Sequence, residues 1–262
     1  MSAHLLQGGR RTSTLFMHDA WRPNMLYHII GKAIPGEVLF REEADYRRFL
    51  RKNLRDQFTL IFQVYTYCLL TNHYHLKVRT RGAAEIHARL LEVLARRKKL
   101  PRYQHDFLDG LIDWHTFVKV VFRSLSSSYA QYYNKKYGRS GQLFIKPTLH
   151  GLSDKGEPGK VYSRTLAAYI SLNFFKHGLA AANANYPWSA LTAPKYHLIE
   201  PDVDLHYGSE KSYREFHVQY LQRYGARMLS FDEKRFFANL TPREYFEDVK
   251  EWRDVRGRPS LG

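Results

Sequence analysis

The stretch LLTNHYHLKVRT, residues 69–80, places two histidines one residue apart inside a segment that otherwise has the pattern of a β-strand. Side chains alternate between the two faces of a strand, so His73 and His75 are predicted to point the same way, about 6.5–7 Å apart along the chain. Two imidazoles at this spacing can converge on one divalent ion, and a third ligand must then come from elsewhere.

The alternative is that one or both are ordinary surface or core histidines, because the chain has 13 histidines and an H-x-H pattern also arises by chance. A closed structural zinc site is not expected, because the sequence offers no cysteine-rich or H-x₃₋₅-H partner for the pair.

The composition favours a polyanionic partner. The 262 residues include 41 Lys+Arg against 25 Asp+Glu, a formal charge of +16 with a pI near 9.8. Such a surplus is typical of proteins that bind nucleic acid. The aromatic share of 15% adds flat rings on which unpaired bases can stack, although most of these rings must belong to the core.

Cysteine content and hydropathy bear on the compartment. Cys68 is the only cysteine, so no internal disulfide can form, and this fits a reducing environment. No apolar run has the length needed to span a bilayer, and the first residues lack the apolar core of a signal peptide. We therefore expect a cytoplasmic protein without a membrane partner.

Strand and helix patterns follow one another in the order β-α-β-β-α…α. Strands are predicted at 25–33, 59–70 and 73–80, and a strand or extended loop at 139–152. Helices are predicted from apolar spacing, with 101–110 irregular and 153–160 flexible; the helical segments are 41–57, 83–100, 113–138 and 161–178. This order predicts an α+β fold of the ferredoxin-like, split βαβ type: an antiparallel sheet with helices on one face.

Three regions are predicted along the chain: a loose N-terminal segment (1–22), a core domain (23–195), and a linker with a C-terminal helical extension (196–262). The extension is expected to contain two amphipathic helices. They either cover the core, read a hairpin or contact a second subunit.

Several motifs together resemble the single-tyrosine HUH transposases, and the REP-associated tyrosine transposase branch most closely. The resemblance covers about residues 24–192. The segments that carry it are YHIIGKAIPGEVLFREEADYRRFL, YTYCLLTNHYHLKVRT, SYAQYYNKKYGRSGQLF and YISLNFFKHGL…YPWSAL.

This resemblance implies a metal-dependent endonuclease and strand transferase for single-stranded DNA, with a 5′-phosphotyrosine intermediate. The histidine pair would be His73 and His75, the nucleophile Tyr169, and the third ligand of Mg²⁺ or Mn²⁺ would be Asn173. Residues four apart share a helix face, so Tyr169 and Asn173 can both look toward the sheet. Tyr169 as an ordinary core aromatic is the alternative.

Two basic segments are candidate DNA contacts. The run Arg96, Arg97, Lys98 and Lys99 is either a solvated face or a phosphate contact. The second segment mixes cations with an aromatic ring, which suits single-stranded DNA; its cations are Lys135, Lys136 and Arg139. The expected partner is single-stranded DNA with a hairpin, bound by a monomer or a homodimer.

Two other functions fit the same pattern. One is a domesticated relative that holds single-stranded or hairpin DNA without strand transfer. The other is an RRM-like RNA binder, which would need aromatic side chains on an open sheet face.

Overall fold

The computed structural model describes residues 21–97, 99–152, 156–180, 186–191, 215–220 and 222. The predicted loose segment therefore lies almost entirely outside the described residues, and so does most of the predicted extension at 196–262. Residues 215–220 are helical, as predicted for the first helix of that extension. No helix in these ranges is both long and apolar enough to cross a membrane.

Four antiparallel strands form one sheet in the order β2-β3-β1-β4. The strands are β1 (Leu26–Lys32), β2 (Phe62–Leu69), β3 (His73–Thr80) and β4 (Thr148–Leu152). Together with the helices, this sheet confirms the α+β class. β3 has the predicted bounds, and it pairs with β2 as the predicted hairpin. β2 begins three residues later than predicted, because the first three residues of the predicted strand, Thr59–Ile61, form a helical turn.

Helices account for most of the remaining described chain. They are α1 (Glu43–Arg48), a π-helix (Phe49–Phe58), α2 (Thr59–Ile61), α3 (Ala83–Arg97), α4 (Arg102–Leu108), α5 (Trp114–Lys136), α6 (Gly156–Ser171) and α7 (Asn173–Lys176). α5 begins as its sequence predicts, since the Asp113 carboxylate accepts a hydrogen bond from the Thr116 N–H at 2.7 Å. Gly138, with φ of 60°, follows the end of this helix.

Two predicted boundaries were wrong. Residues 101–110 were predicted to be irregular, but α4 forms there because Phe107 stacks on Phe117 of α5, with ring centroids 4.4 Å apart. Packing against a neighbouring helix thus overrides weak local periodicity. The segment 153–160 was predicted to be flexible, yet α6 already begins at Gly156. Its Pro158 lies in the first turn, where a missing N–H removes no intrahelical hydrogen bond.

The sheet has an apolar face and a polar face, named here by the side chains that β3 contributes. Tyr74, Leu76 and Val78 point to the apolar face, where the π-helix and α5 pack; the Tyr74 and Phe49 rings lie 4.9 Å apart. The alternate residues of β3, from His73 onward, point to the polar face. α6 covers this second face and contacts β2 and β3. Both faces are therefore covered, unlike the predicted arrangement with helices on one face.

Candidate functional site

The two histidines of β3 lie side by side on the polar face, as their spacing predicts. Their ring centroids are 5.1 Å apart. His75 is fully buried and His73 is 7% exposed. The next strand adds a third imidazole, because Nε2 of His28 in β1 lies 2.9 Å from Nδ1 of His75.

Tyr169 meets this histidine group within the same chain. Its ring is edge-on to that of His75, with centroids 6.1 Å apart, and it lies 6.5 Å from the ring of His28. A hydrogen bond of 2.7 Å between Ser171 in α6 and Thr66 in β2 anchors the helix to the sheet. Only 5% of Tyr169 is exposed, so a substrate phosphate reaches its hydroxyl only if neighbouring groups move.

Asn173, the first residue of α7, carries a fully buried side-chain amide. Neither its oxygen nor its nitrogen has a hydrogen-bond partner among the residues that the structure describes. Asn173 lies four residues after Tyr169, whose ring meets His75, and four before His177, whose ring centroid is 4.8 Å from that of His73. A buried amide without partners is costly, so this position favours an outside group that the amide can bind.

His75 has the protonation state that a cation requires of its ligand. Burial, followed by the nearby His28 and His73, holds the pKa of His75 well below its usual value, so its imidazole is neutral. Nδ1 of His73 lies 2.7 Å from the Asn72 side-chain oxygen and donates to it, so in the neutral ring the lone pair is on Nε2. His28 contacts the corresponding Nδ1 of His75.

The donor atoms of this set determine which metal ion could bind. Across the described ranges, no group of three or more His, Cys, Asp or Glu side chains could hold a metal ion. The predicted set contains two imidazoles and one amide, and the amide has no hydrogen-bond partner among the described residues. Neutral nitrogen and oxygen donors that leave other positions open fit Mg²⁺ or, because of the imidazoles, Mn²⁺.

The first basic segment lies away from these residues in the fold. It ends α3, which packs against α2 and α4 rather than against α6. Arg96 is exposed and lies 4.0 Å from Glu92, and Lys99 is exposed. The side chain of Arg97 and all of Lys98 lie outside the described residues. Phosphate contact by this segment stays a prediction.

The second basic segment forms a basic–aromatic cluster with the start of α1. Its members are Arg41, Tyr132, Tyr133, Lys136, Tyr137 and Arg139. Lys136 donates to Asp45 and Glu42 at 2.6 Å each, and Arg139 donates to Glu37 at 2.7 Å. Lys135 is exposed. Two of the three predicted cations therefore hold carboxylates, and any phosphate must compete with these ion pairs.

An open groove of about 440 Å³ lies between the histidines and this cluster. Its lining consists of Gly36, Glu37, Val38, Leu70, Thr71, Asn72, His73, His177 and Leu179. Two of these residues, His73 and His177, belong to the histidine group. A third, Glu37, contacts the basic–aromatic cluster, since it binds Arg139 and lies 3.5 Å from Arg41.

Lys176 and His177 also lie at the site, although the sequence motifs gave neither of them a role there. The Lys176 ammonium donates to the Tyr169 hydroxyl at 3.2 Å. The available signal was periodicity, because the residues seven and eight positions after a helical residue return to the same face. The pairing of His28 with His75 depends on the strand register, which the sequence alone does not give.

Comparisons with known proteins add little. No family model matches the sequence, and no curated protein matches it. One similar solved structure is a REP-associated tyrosine transposase bound to a REP hairpin. The two share 11% identity over 64% of this chain and 78% of that chain, with a TM-score of 0.39. This is a distant structural similarity.

Proposed function

We propose that the protein is a metal-dependent endonuclease and strand transferase for single-stranded DNA, with Tyr169 as the nucleophile. The observation that carries the proposal is the meeting of Tyr169 with His75 within one chain, at 6.1 Å between ring centroids. The buried amide of Asn173, at the start of the following helix α7, supports it.

The reaction is a transesterification. The Tyr169 oxygen attacks the phosphorus of a DNA phosphodiester, and the bond from phosphorus to the 3′ oxygen of the departing strand breaks. The phenolic proton is released and the departing 3′ oxygen takes one up. The product is a 5′-phosphotyrosine and a free 3′-hydroxyl. Bond energy is conserved in this intermediate, so rejoining needs no nucleotide cofactor.

Residues of the polar face have two roles: some would bind the metal ion, and others orient those ligands. His73, His75 and Asn173 would hold Mg²⁺ or Mn²⁺, which supplies Lewis-acid stabilisation of charge on a phosphate oxygen when bound. His28 and Asn72 orient the two imidazoles through their Nδ1 atoms. Burial keeps the pKa of His75 low, so this ligand does not carry a competing proton near neutral pH.

The groove and the basic–aromatic cluster provide a route for the DNA. Both His73 and Glu37 line the groove, and Glu37 lies 3.5 Å from Arg41, whose guanidinium is 4.5 Å above the centre of the Tyr137 ring. A groove next to cations and aromatic rings suits a single strand or the base of a hairpin.

The strand arrangement supports the predicted ferredoxin-like fold for this function. β3 lies between β1 and β2 and runs antiparallel to both, which is the arrangement of a split βαβ unit. In this topology the central strands present the histidines, and a helix later in the chain presents the phenol.

A covalent-adduct assay tests the proposal. Oligonucleotides with a hairpin and single-stranded flanks are incubated with the protein and Mn²⁺ or Mg²⁺, and the adduct is resolved on a denaturing gel. We expect an adduct that maps to Tyr169 by peptide mass spectrometry, that is lost on chelation of the metal, and that is absent in Tyr169→Phe. Tyr103→Phe in α4 is the matched control and should react normally. An adduct that persists in Tyr169→Phe contradicts the assignment.

The near-complete burial of Tyr169 favours one alternative, a protein that binds single-stranded or hairpin DNA without strand transfer. Tight binding in the same assay without any adduct would support it. In the part of the chain that the structure describes, the RRM-like alternative finds no open aromatic sheet face, since the sheet tyrosines Tyr27, Tyr67 and Tyr74 are buried. RNA binding that is insensitive to chelation would be its signature.

A further inference from the structure

Lys176 has a defined position at the hydroxyl of Tyr169. Its Nζ lies 3.2 Å from the phenolic oxygen and 5.4 Å from the centre of the ring. The residue closes α7, and the chain turns away at Gly178, where φ is 66°. A half-buried lysine that reaches back seven residues to one phenol differs from a freely solvated surface cation.

The chemistry of the two groups determines which one donates in this hydrogen bond. An ammonium group has three donors and no acceptor, so the phenolic oxygen must accept from Lys176. The proton of the phenol therefore points elsewhere and can leave without breaking the contact. After it leaves, a cation remains beside a negative oxygen in a largely water-excluded position, where such an interaction is strong.

We propose, resting on the proposed function, that Lys176 is a catalytic residue that stabilises the negative charge developing on the Tyr169 oxygen. In the cutting step the phenolic proton leaves, the oxygen–phosphorus bond forms and the departing 3′ oxygen is released. In rejoining, the same tyrosine oxygen is the leaving group. Lys176 keeps its own protons in both directions, so it accelerates both steps.

Lys176→Met removes the charge and keeps the chain length, and Lys176→Arg keeps the charge. Single-turnover rates of adduct formation and of rejoining from isolated adduct are measured for both variants. We expect both rates to fall about 100-fold in Lys176→Met and to recover to within about tenfold of wild type in Lys176→Arg. DNA affinity, measured by fluorescence anisotropy in the Tyr169→Phe background, should change less than about twofold.

A second readout does not need DNA cleavage. Labelling of Tyr169 by an arenesulfonyl fluoride, quantified by peptide mass spectrometry, should be about tenfold slower in Lys176→Met, because the phenol loses its neighbouring cation. Lys52→Met is the matched control: Lys52 lies on the exposed side of the π-helix, 3.3 Å from Asp56, and its loss should change nothing.

The outcomes separate the two proposals. A Lys176→Met protein that cuts, rejoins and labels within about threefold of wild type overturns the role of Lys176. A loss confined to DNA affinity overturns it as well, because it would indicate a binding contact. If wild type forms no adduct while labelling still depends on Lys176, the lysine activates the phenol and the proposed strand transfer is wrong.

Discussion

The apolar and polar faces of the sheet come from alternate residues of the same strands, and both are buried. On β3, Tyr74 and Leu76 pack into the core, while His73 and His75, which alternate with them, lie on the face that α6 covers. The faces therefore differ in polarity and not in burial. Burying apolar groups stabilises a fold, whereas burying imidazoles costs free energy unless each finds a partner. A row of buried polar side chains is thus better explained by chemistry than by stability.

Substitutions at neighbouring residues of β3 test directly whether the apolar face contributes stability and the polar face contributes activity. Leu76→Ala should lower the free energy of unfolding by about 2–5 kcal/mol, because it removes a fully buried side chain from the core. The folded fraction should still form adduct at a nearly normal rate. His73→Gln should cost less than about 1 kcal/mol, since it is not fully buried and glutamine keeps a polar group there.

The same His73→Gln change should reduce adduct formation more than about 100-fold, because a proposed metal ligand is lost. Chemical denaturation and single-turnover assays on the two variants check both halves of this prediction. An unstable His73→Gln protein whose folded fraction remains active would make His73 a core residue and remove the distinction between the faces.

The apolar face also has a buried polar group next to it, because the helix layer over this face contains the buried acid Asp45. Burial alone would raise the pKa of Asp45, but hydrogen bonds from Lys136 and Tyr137 outweigh it, and its pKa lies below the usual value. A lowered pKa contributes stability above the unfolded pKa, near 3.8, and this stability is lost as pH falls through the folded value.

Asp45→Asn should therefore destabilise the protein at neutral pH by about 3 kcal/mol, because Lys136 loses a buried partner. Below about pH 4 the difference from wild type should shrink, because the unfolded carboxylate binds a proton at a higher pH than the folded one does. Urea unfolding between pH 2.5 and 7 measures this, with the exposed Asp109→Asn as control. A difference that stays constant across this range would show that the charge of Asp45 is irrelevant.

How far the sequence predicts these features depends on how local they are. The bounds of β3 and the side-by-side placement of His73 and His75 follow from alternation along one strand. The contact of His28 with His75 depends on the register in which Ile30, not His28, lies opposite His75. The ion pairs of Lys136 and Arg139 join the end of α5 to α1 and the preceding loop, more than 90 residues earlier.

α4 and the π-helix show the same limit in secondary structure. α4 exists because Phe107 stacks on Phe117, a contact that is invisible to local periodicity. Within the helix predicted at 41–57, the sequence gives no sign that the second half is π-helical. Resemblance to a family suggested Tyr169, but only the packing of α6 on the sheet brings its ring to His75 in the same chain.

His28 is buried on the polar face but is not a proposed ligand, so its substitution tests whether the neighbours of the ligands also affect metal binding. His28→Phe keeps an aromatic ring but removes the contact with Nδ1 of His75, and it should weaken Mn²⁺ binding about 10- to 100-fold. His28→Gln offers a hydrogen-bonding group in its place and should recover part of the affinity. Electron paramagnetic resonance of free Mn²⁺ gives the affinities without any DNA. Equal affinities in both variants and wild type would reduce His28 to packing.

The last prediction is that no effect is seen. It tests whether the α6 that covers the polar face belongs to the same chain or to a partner subunit. Tyr169 meets His75 within one chain, so a protein carrying Tyr169→Phe and another carrying His75→Ala should not restore activity when mixed. If two subunits instead exchanged α6, random mixing would place one intact composite site in half of the dimers and restore about a quarter of wild-type activity. Unfolding and refolding the mixture together before the assay allows exchange to occur. Recovery near that level would mean that the polar face is completed by a partner's helix, and the site would then require a dimer.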